Sequence, residues 1–185
     1  MSLYQNLRRI YAVFEEKKKN KYLNNLIRNG LKLGKDVEII SNYFFDPSHC
    51  FLITIDDNCT ICPGVRLIAH DASTFKALGY TKIGKITIEK NCFIGDSTII
   101  LPNVTIGQNS IIGSGSVVTR SIPENSVAAG NPAKVMMSVD EYLGKIKQSS
   151  KDKKVFGKEY FIQNLDEQKR QEILDAVENS IGFIV

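Results

Sequence analysis

From Ile88 to Pro123 the chain can be cut by sixes without remainder, into IEKNCF, IGDSTI, ILPNVT, IGQNSI, IGSGSV and VTRSIP. No other feature of it narrows the possible folds so far. An aliphatic residue opens each unit (Ile88, Ile94, Ile100, Ile106, Ile112, Val118), and four positions on stands a small or branched one: Cys92, Thr98, Val104, Ser110, Ser116, Ile122. Glycine follows the opening residue at Gly95, Gly107 and Gly113, where a tight turn is expected to use its permissive backbone. A repeat of six matches neither the roughly 3.6-residue turn of a helix nor a hairpin array with turns about every 8–12 residues. It predicts a parallel β-solenoid, whose coils stack and bury one continuous core.

The grid continues upstream. Ile55, Ile61 and Leu67 open IDDNCT, ICPGVR and LIAHDA, with Cys59 and Val65 at the small position. Pro63 and Pro102 share one place in their hexads. Weaker units start at Ile27, Leu33, Ile39 and Phe45; Tyr43 takes a small position there, so the first coil is expected to be irregular or a cap. The spacing breaks between Phe45 and Ile55, and again between Leu67 and Ile88. The extra residues must leave the stack as loops, and loops on a rigid scaffold are where function concentrates.

Composition is that of an ordinary globular domain, 43% hydrophobic and 24% charged. No apolar run reaches the roughly 20 residues of a membrane span, and MSLYQNLRRI is too charged for a signal peptide, so a cytoplasmic location is expected. A net charge of +4 does not imply nucleic acid, and the lysines of 17–21 and 151–154 read as solvated faces or linkers. Cys59 and Cys62 form a C-x-x-C, but both fall on grid positions and no second pair completes a zinc site. They are expected to be structural thiols, like Cys92; Cys50 falls in the first break and has no grid position.

The flanks read as helical. Leu3, Leu7, Ile10 and Phe14 recur at helical spacing in a segment that ends near Gly30. Ser138 to Glu141 has the form of a capping box opening a short helix to about Gln148, 148–154 reads as a linker, and Leu165, Ile173, Leu174 and Val177 mark a last helix. Three parts follow: an N-terminal helical segment (1–29), the β-helix (30–137) and a C-terminal helical extension (138–185).

The hexads, with the terminal run SVAAGNPAKV from Ser126 to Val135, closely resemble the hexapeptide-repeat acyltransferases, above all galactoside and maltose, xenobiotic and capsule-sugar O-acetyltransferases. The resemblance is most specific over 88–135; the helical tail is not typical of the galactoside type. It implies a mainly β fold, a left-handed parallel β-helix, assembled as a homotrimer with active sites between subunits and acetyl-CoA lying along the cleft between two neighbouring prisms. The implied function is acetyl transfer to the hydroxyl of a sugar or glycan acceptor, in sugar or surface-polysaccharide metabolism, with no metal.

Such a transfer needs a base near neutral pH, and histidine is the side chain whose ordinary pKa lies there. There are two. His70 closes LIAH at the start of the second loop and precedes Asp71, a placement that resembles the family's catalytic histidine; Asp71 or a backbone carbonyl is expected to fix its tautomer. His49, in FFDPSHC, reads equally as a plain loop residue. Asn42 and Asp46 resemble the polar pair that orients a sugar, and residues 72–80 are expected to reach a neighbour's site. Ser114, Thr119 and Arg120 match the segment that meets the pantetheine arm and phosphates, and Lys134 is placed for the 3′-phosphate end. Asp96 departs from a position that is small and uncharged in relatives. Competing readings are N-acetylation of an amino sugar or nucleotide-linked amino sugar, a longer-chain acyl–carrier-protein enzyme, a xenobiotic acceptor, a zinc enzyme like the γ-class carbonic anhydrases, and a non-catalytic scaffold subunit. The zinc enzyme would need three histidines.

Overall fold

The computed structural model describes residues 21–151 and 153–185. The helical spacing at Leu3, Leu7, Ile10 and Phe14 lies outside them. The chain divides into two compact units, 1–139 and 140–185.

Each coil of the first unit gives one short strand to each of three sheets. The first coil has β1 (Lys32–Leu33), β2 (Glu38–Ile39) and β3 (Phe44–Phe45); the second has β4 (Ile53–Ile55), β5 (Thr60–Ile61) and β6 (Arg66–Leu67). After an inserted hairpin, β7 (His70–Asp71) and β8 (Lys82–Ile83), the third coil has β9 (Ile86–Ile88), β10 (Phe93–Ile94) and β11 (Ile99–Ile100). The fourth has β12 (Val104–Ile106), β13 (Ile111–Ile112) and β14 (Val117–Val118). The sheets run β1-β4-β9-β12, β2-β5-β10-β13-β15-β16 and β3-β6-β11-β14. Here β15 (Ser126–Gly130) joins in parallel, and β16 (Ala133–Ser138) turns back antiparallel to close the edge. Strands of two or three residues cannot bury a face alone; stacking supplies both their hydrogen bonds and their core.

Register places each opening aliphatic on its equivalent one coil away. Ile55 pairs with Ile88 and Ile88 with Ile106; Ile61 with Ile94 and Ile94 with Ile112; Leu67 with Ile100 and Ile100 with Val118. All of these are fully buried, and each contributes about 1.5–3 kcal/mol of hydrophobic stabilisation. The small positions point inward as expected: Cys59, Val65, Thr98, Ser110 and Ser116 are wholly buried, and Cys92, Val104 and Ile122 nearly so. At one corner they form a column in which each donor meets the next coil, Cys59 Sγ to Glu89 O (3.0 Å), Cys92 Sγ to Gly107 O (3.2 Å) and Ser110 Oγ to Pro123 O (2.9 Å). The narrow corner thus satisfies its own carbonyls.

One turn expectation is corrected. The left-handed backbone lies three residues after the opening aliphatic, at Asp36, Asn42, Asn58, Gly64, Asn91, Ser97, Asn103, Asn109 and Gly115, and again at Asn125, three residues after Ile122. Asparagine tolerates that region because its short amide bonds locally. Asn91 Nδ2 donates to Asn109 Oδ1, and Asn109 Nδ2 to Asn125 Oδ1, each at 2.9 Å. Gly95 and Gly107 serve another need, close stacking. A Cβ on Gly107 would come within 2.3 Å of Glu124 N, and one on Gly95 within 2.6 Å of Ile112 O.

The first coil pairs regularly despite Tyr43. A helix α1 over 21–28 covers its end with Leu26 fully buried and Tyr22 and Leu23 against the core. The Tyr43 ring lies between Phe45 (4.7 Å) and Tyr22 (5.7 Å). Cys50, which had no grid position, is buried beneath α1, with Sγ 3.5 Å from Leu26 O and Asn29 O. All four cysteines are buried and free.

The second unit is small. Most of α3 (Val139–Ser150) belongs to it, and α3 runs two residues past the expected Gln148. β17 (Val155–Phe156) pairs in parallel with β18 (Phe183–Ile184), and α4 spans Glu167–Val177. Asp166 caps α4 by accepting Lys169 N at 2.8 Å. The apolar stripe of α4 lines a cavity of about 190 Å³ within this unit, where Ile173 and Val177 face Phe156, Phe183 and Ile184.

Candidate active site

Both insertions leave the stack at the same corner, because Phe45 and Leu67 are register partners in one sheet. The residues that follow them are therefore neighbours. Asp46 N donates to Leu67 O at 2.9 Å, and Ala69 N donates back to Asp46 Oδ2 at 3.1 Å. One residue on, His70 Nδ1 donates to the same Oδ2.

Asp46 is fully buried, while the His70 side chain is 34% exposed. Oδ1 of Asp46 accepts Ser48 N (3.1 Å) and His49 N (3.3 Å). Burial pushes this carboxyl upward, but the His70 hydrogen bond and charge, the Ser48 N–H and the nearby His49 together hold it below the usual carboxylate range. It is thus an ionised, fully coordinated anion behind the imidazole. A carboxylate only accepts, so Nδ1 carries the proton, and the neutral form of the ring then has its lone pair on Nε2.

His49 stands beside this pair. Its ring centroid is 5.0 Å from that of His70 and 6.1 Å from that of Phe51. Its Nδ1 lies 3.7 Å from Asp46 Oδ2, is buried, and has no hydrogen-bond partner among the described residues.

Of the acceptor-facing pair expected of Asn42 and Asp46, only Asn42 is exposed. Asp46 is buried with both oxygens engaged, and Asn42 is an exposed left-handed turn residue at the preceding corner, between β2 and β3. Asp71 does not fix the tautomer, since Asp46 does. Its carboxylate accepts Lys82 Nζ at 2.6 Å and Ser73 N at 2.8 Å, which hold its pKa far below the usual range, the lysine bond foremost. Asp71 therefore staples the β7–β8 hairpin, whose tip carries α2 (Phe75–Leu78) and exposes Phe75, Leu78 and Tyr80.

Ser114, Thr119, Arg120 and Lys134 are all exposed, and their side chains have no ion pair or hydrogen bond among the described residues. Thr119 and Arg120 follow β14 on the same corner as His70, two strands along the sheet, or about 10 Å at the usual spacing. Ser114 occupies the neighbouring corner after β13, and Lys134 lies on β16. Asp96 is exposed and accepts a bond from Ser97 Oγ at 2.7 Å.

Sequence reading missed the partnership of Asp46 with His70. The signal was present: both breaks follow the third opening residue of a coil, so equal phase places the two loop starts side by side.

Fold and site together define a class, a parallel β-helix of stacked hexads with a histidine–carboxylate pair where an inserted loop leaves the stack. Residues 85–120 match the family described as Bacterial transferase hexapeptide (six repeats). The chain is 44% identical over 114 residues to a Staphylococcus aureus (strain Mu50) protein named provisionally as an acetyltransferase, a match covering 61% of this chain and 57% of that one. It is 37% identical over 117 residues to the galactoside O-acetyltransferase of Escherichia coli (strain K12), covering 62% and 53%. Among solved structures, a maltose O-acetyltransferase from Clostridium difficile 630 superposes with a TM-score of 0.54 at 26% identity, covering 72% of this chain and 84% of that one. A hexapeptide-repeat acetyltransferase from Vibrio cholerae, complexed with acetyl coenzyme A, superposes with a TM-score of 0.53 at 27% identity, covering 59% and 60%. The matches span little more than half the length of the two curated relatives. The resemblance to the hexapeptide-repeat acyltransferases is borne out in sequence and in structure.

Proposed function

We propose that this chain is an acetyl-CoA-dependent acetyltransferase that acetylates a sugar hydroxyl, with His70 as the general base. The observation that carries this reading is the bond from His70 Nδ1 to buried Asp46. It fixes the neutral tautomer that leaves Nε2 as the proton acceptor. The galactoside and maltose O-acetyltransferase names of two similar proteins support the acceptor class, and the acetyl coenzyme A complex supports the donor.

Nε2 takes the proton of the acceptor hydroxyl as its oxygen attacks the thioester carbonyl carbon. A backbone N–H holds the oxyanion. The carbon–sulfur bond then breaks, and Nε2 returns the proton to the departing sulfur, so no acyl-enzyme forms. Asp46 stays ionised throughout and stabilises the imidazolium. None of these steps calls on a metal.

Ser114, Thr119 and Arg120 meet the pantetheine arm and phosphates in this scheme, and Lys134 meets the 3′-phosphate. Their exposure without internal partners is what such contacts require. The coil is left-handed and three copies assemble, each β7–β8 hairpin bringing its exposed Phe75 and Tyr80 to a neighbour's acceptor site in the cytoplasm.

The test is thiol release from acetyl-CoA over sugars, amino sugars and nucleotide-linked sugars, beside His70→Ala. An amine acceptor would use the same base, so the panel names the acceptor atom. Turnover of a sugar hydroxyl with a loss of about 10²-fold or more in His70→Ala supports the reading; full activity in the variant ends the base assignment.

A further inference from the structure

The donor set around Asp46 is richer than a proton-transfer pair needs. Asp46, His49 and His70 each offer a ligand atom, and these atoms lie within 4.8 Å of one another. The carboxylate is fully buried, and among the described residues its only ion-pair partners are the two imidazoles. Independently, His49 Nδ1 is a buried ring nitrogen without a hydrogen-bond partner among the described residues, 3.7 Å from Asp46 Oδ2. Turned toward the carboxylate, this ring nitrogen can carry a proton or give its lone pair to a cation held together with Asp46.

We propose that Asp46, His49 and His70 form an inhibitory site for a borderline divalent cation such as Zn²⁺. Two imidazoles and one carboxylate with open positions suit such an ion. Bonds of about 2.0–2.1 Å would set the ligand atoms roughly 3.0–3.4 Å apart. His49 Nδ1 must close slightly on Asp46, and His70 Nδ1 must open from its hydrogen bond. Both rings are partly exposed, His49 by 26% and His70 by 34%, which leaves room for small rotations and an entry path.

The consequence follows from imidazole chemistry. An ion on Nδ1 displaces the proton given to Asp46, and a neutral imidazole then carries its single proton on Nε2. The nitrogen assigned as base loses its lone pair. The inhibitory effect rests on the proposed base role, whereas the metal site itself does not.

The experiment is equilibrium dialysis of the full chain against Zn²⁺ with metal analysis, for the wild type, His49→Ala and Asp46→Asn. Co²⁺ spectra follow the ligand type. The expected result is one Zn²⁺ per chain in the wild type, bound at least about tenfold more weakly in His49→Ala, and a Co²⁺ spectrum without a thiolate charge-transfer band. A wild type without stoichiometric Zn²⁺, a His49→Ala variant that binds equally well, or a thiolate band from the buried cysteines would overturn the site. Asp46→Asn removes a buried anion and can fail to fold; His49→Ala, at a partly exposed ring, keeps the test decisive. Where an acceptor turns over, Zn²⁺ should remove wild-type activity reversibly with chelator and remove a smaller fraction in His49→Ala. Stoichiometric, His49-dependent Zn²⁺ binding in a protein that turns over no acceptor would sustain the site and sink the acetyltransferase reading.

Discussion

His70 Nδ1 and Asp46 Oδ2 meet across 24 residues of chain, each the product of a break in the hexad rhythm at the same corner of the coil. Removing the carboxylate while keeping its shape should therefore act on the base and not on cosubstrate binding. Asp46→Asn is expected to lower kcat by about 10²–10⁴-fold, because an amide can donate to Nδ1 and drive the proton to Nε2. The KM for acetyl-CoA should stay within a few fold. Steady-state kinetics with the acceptor found by thiol release reads both.

Charge at the proposed cosubstrate surface should behave in the opposite way. Arg120→Ala and Lys134→Ala are each expected to raise the KM for acetyl-CoA several-fold with little change in kcat, the signature of binding that is equal in ground and transition states. The wild-type advantage should shrink as salt screens exposed charge. A kcat-only effect would remove these residues from the phosphate path.

Tyr43 carries a buried hydroxyl without a partner among the described residues, and burial, with Tyr22 adding to it, pushes its pKa up to about 12 from an ordinary 10. The folded state thus holds the phenolic proton more tightly than the unfolded chain does. Stability from this group is complete below pH 10 and lost as pH rises toward 12. Tyr43→Phe should gain about 1 kcal/mol near neutral pH by removing an unsatisfied hydroxyl. Its advantage over the wild type should widen between pH 10 and 12. Urea titrations at several pH values measure both effects.

Two glycines of adjacent hexads should answer differently to a side chain. Gly107→Ala sets a Cβ against Glu124 N and Cα in the next coil, at 2.3 and 2.7 Å, and should cost about 1–3 kcal/mol or more through coil separation. Gly115, at φ +69° with nothing among the described residues within 4 Å of an added Cβ, occupies the turn position that asparagine fills at Asn91 and Asn109. Gly115→Asn should change stability by less than about 1 kcal/mol. Thermal melts of the two variants separate close approach from backbone conformation.

The sequence by itself determined the coil. A hexad with one aliphatic and one small inward residue has a single way to bury both, and the columns from Ile55 to Ile106, Ile61 to Ile112 and Leu67 to Val118 follow from arithmetic. It also marked where the loops leave and that His70 begins one of them. It misassigned Gly95, because a period does not distinguish a residue chosen for φ from one chosen for the space beside it. Only the tertiary structure decided the company His70 keeps. Asp46 and His49 approach it through stacking of one coil on another, and a buried carboxylate between two imidazoles is a relation across 21 and 24 residues that hydrophobic periodicity does not record. Periodicity encodes burial, which repeats; the polar contacts at the breaks are made once, by side chains whose partners are set by register and by the path of the inserted loops.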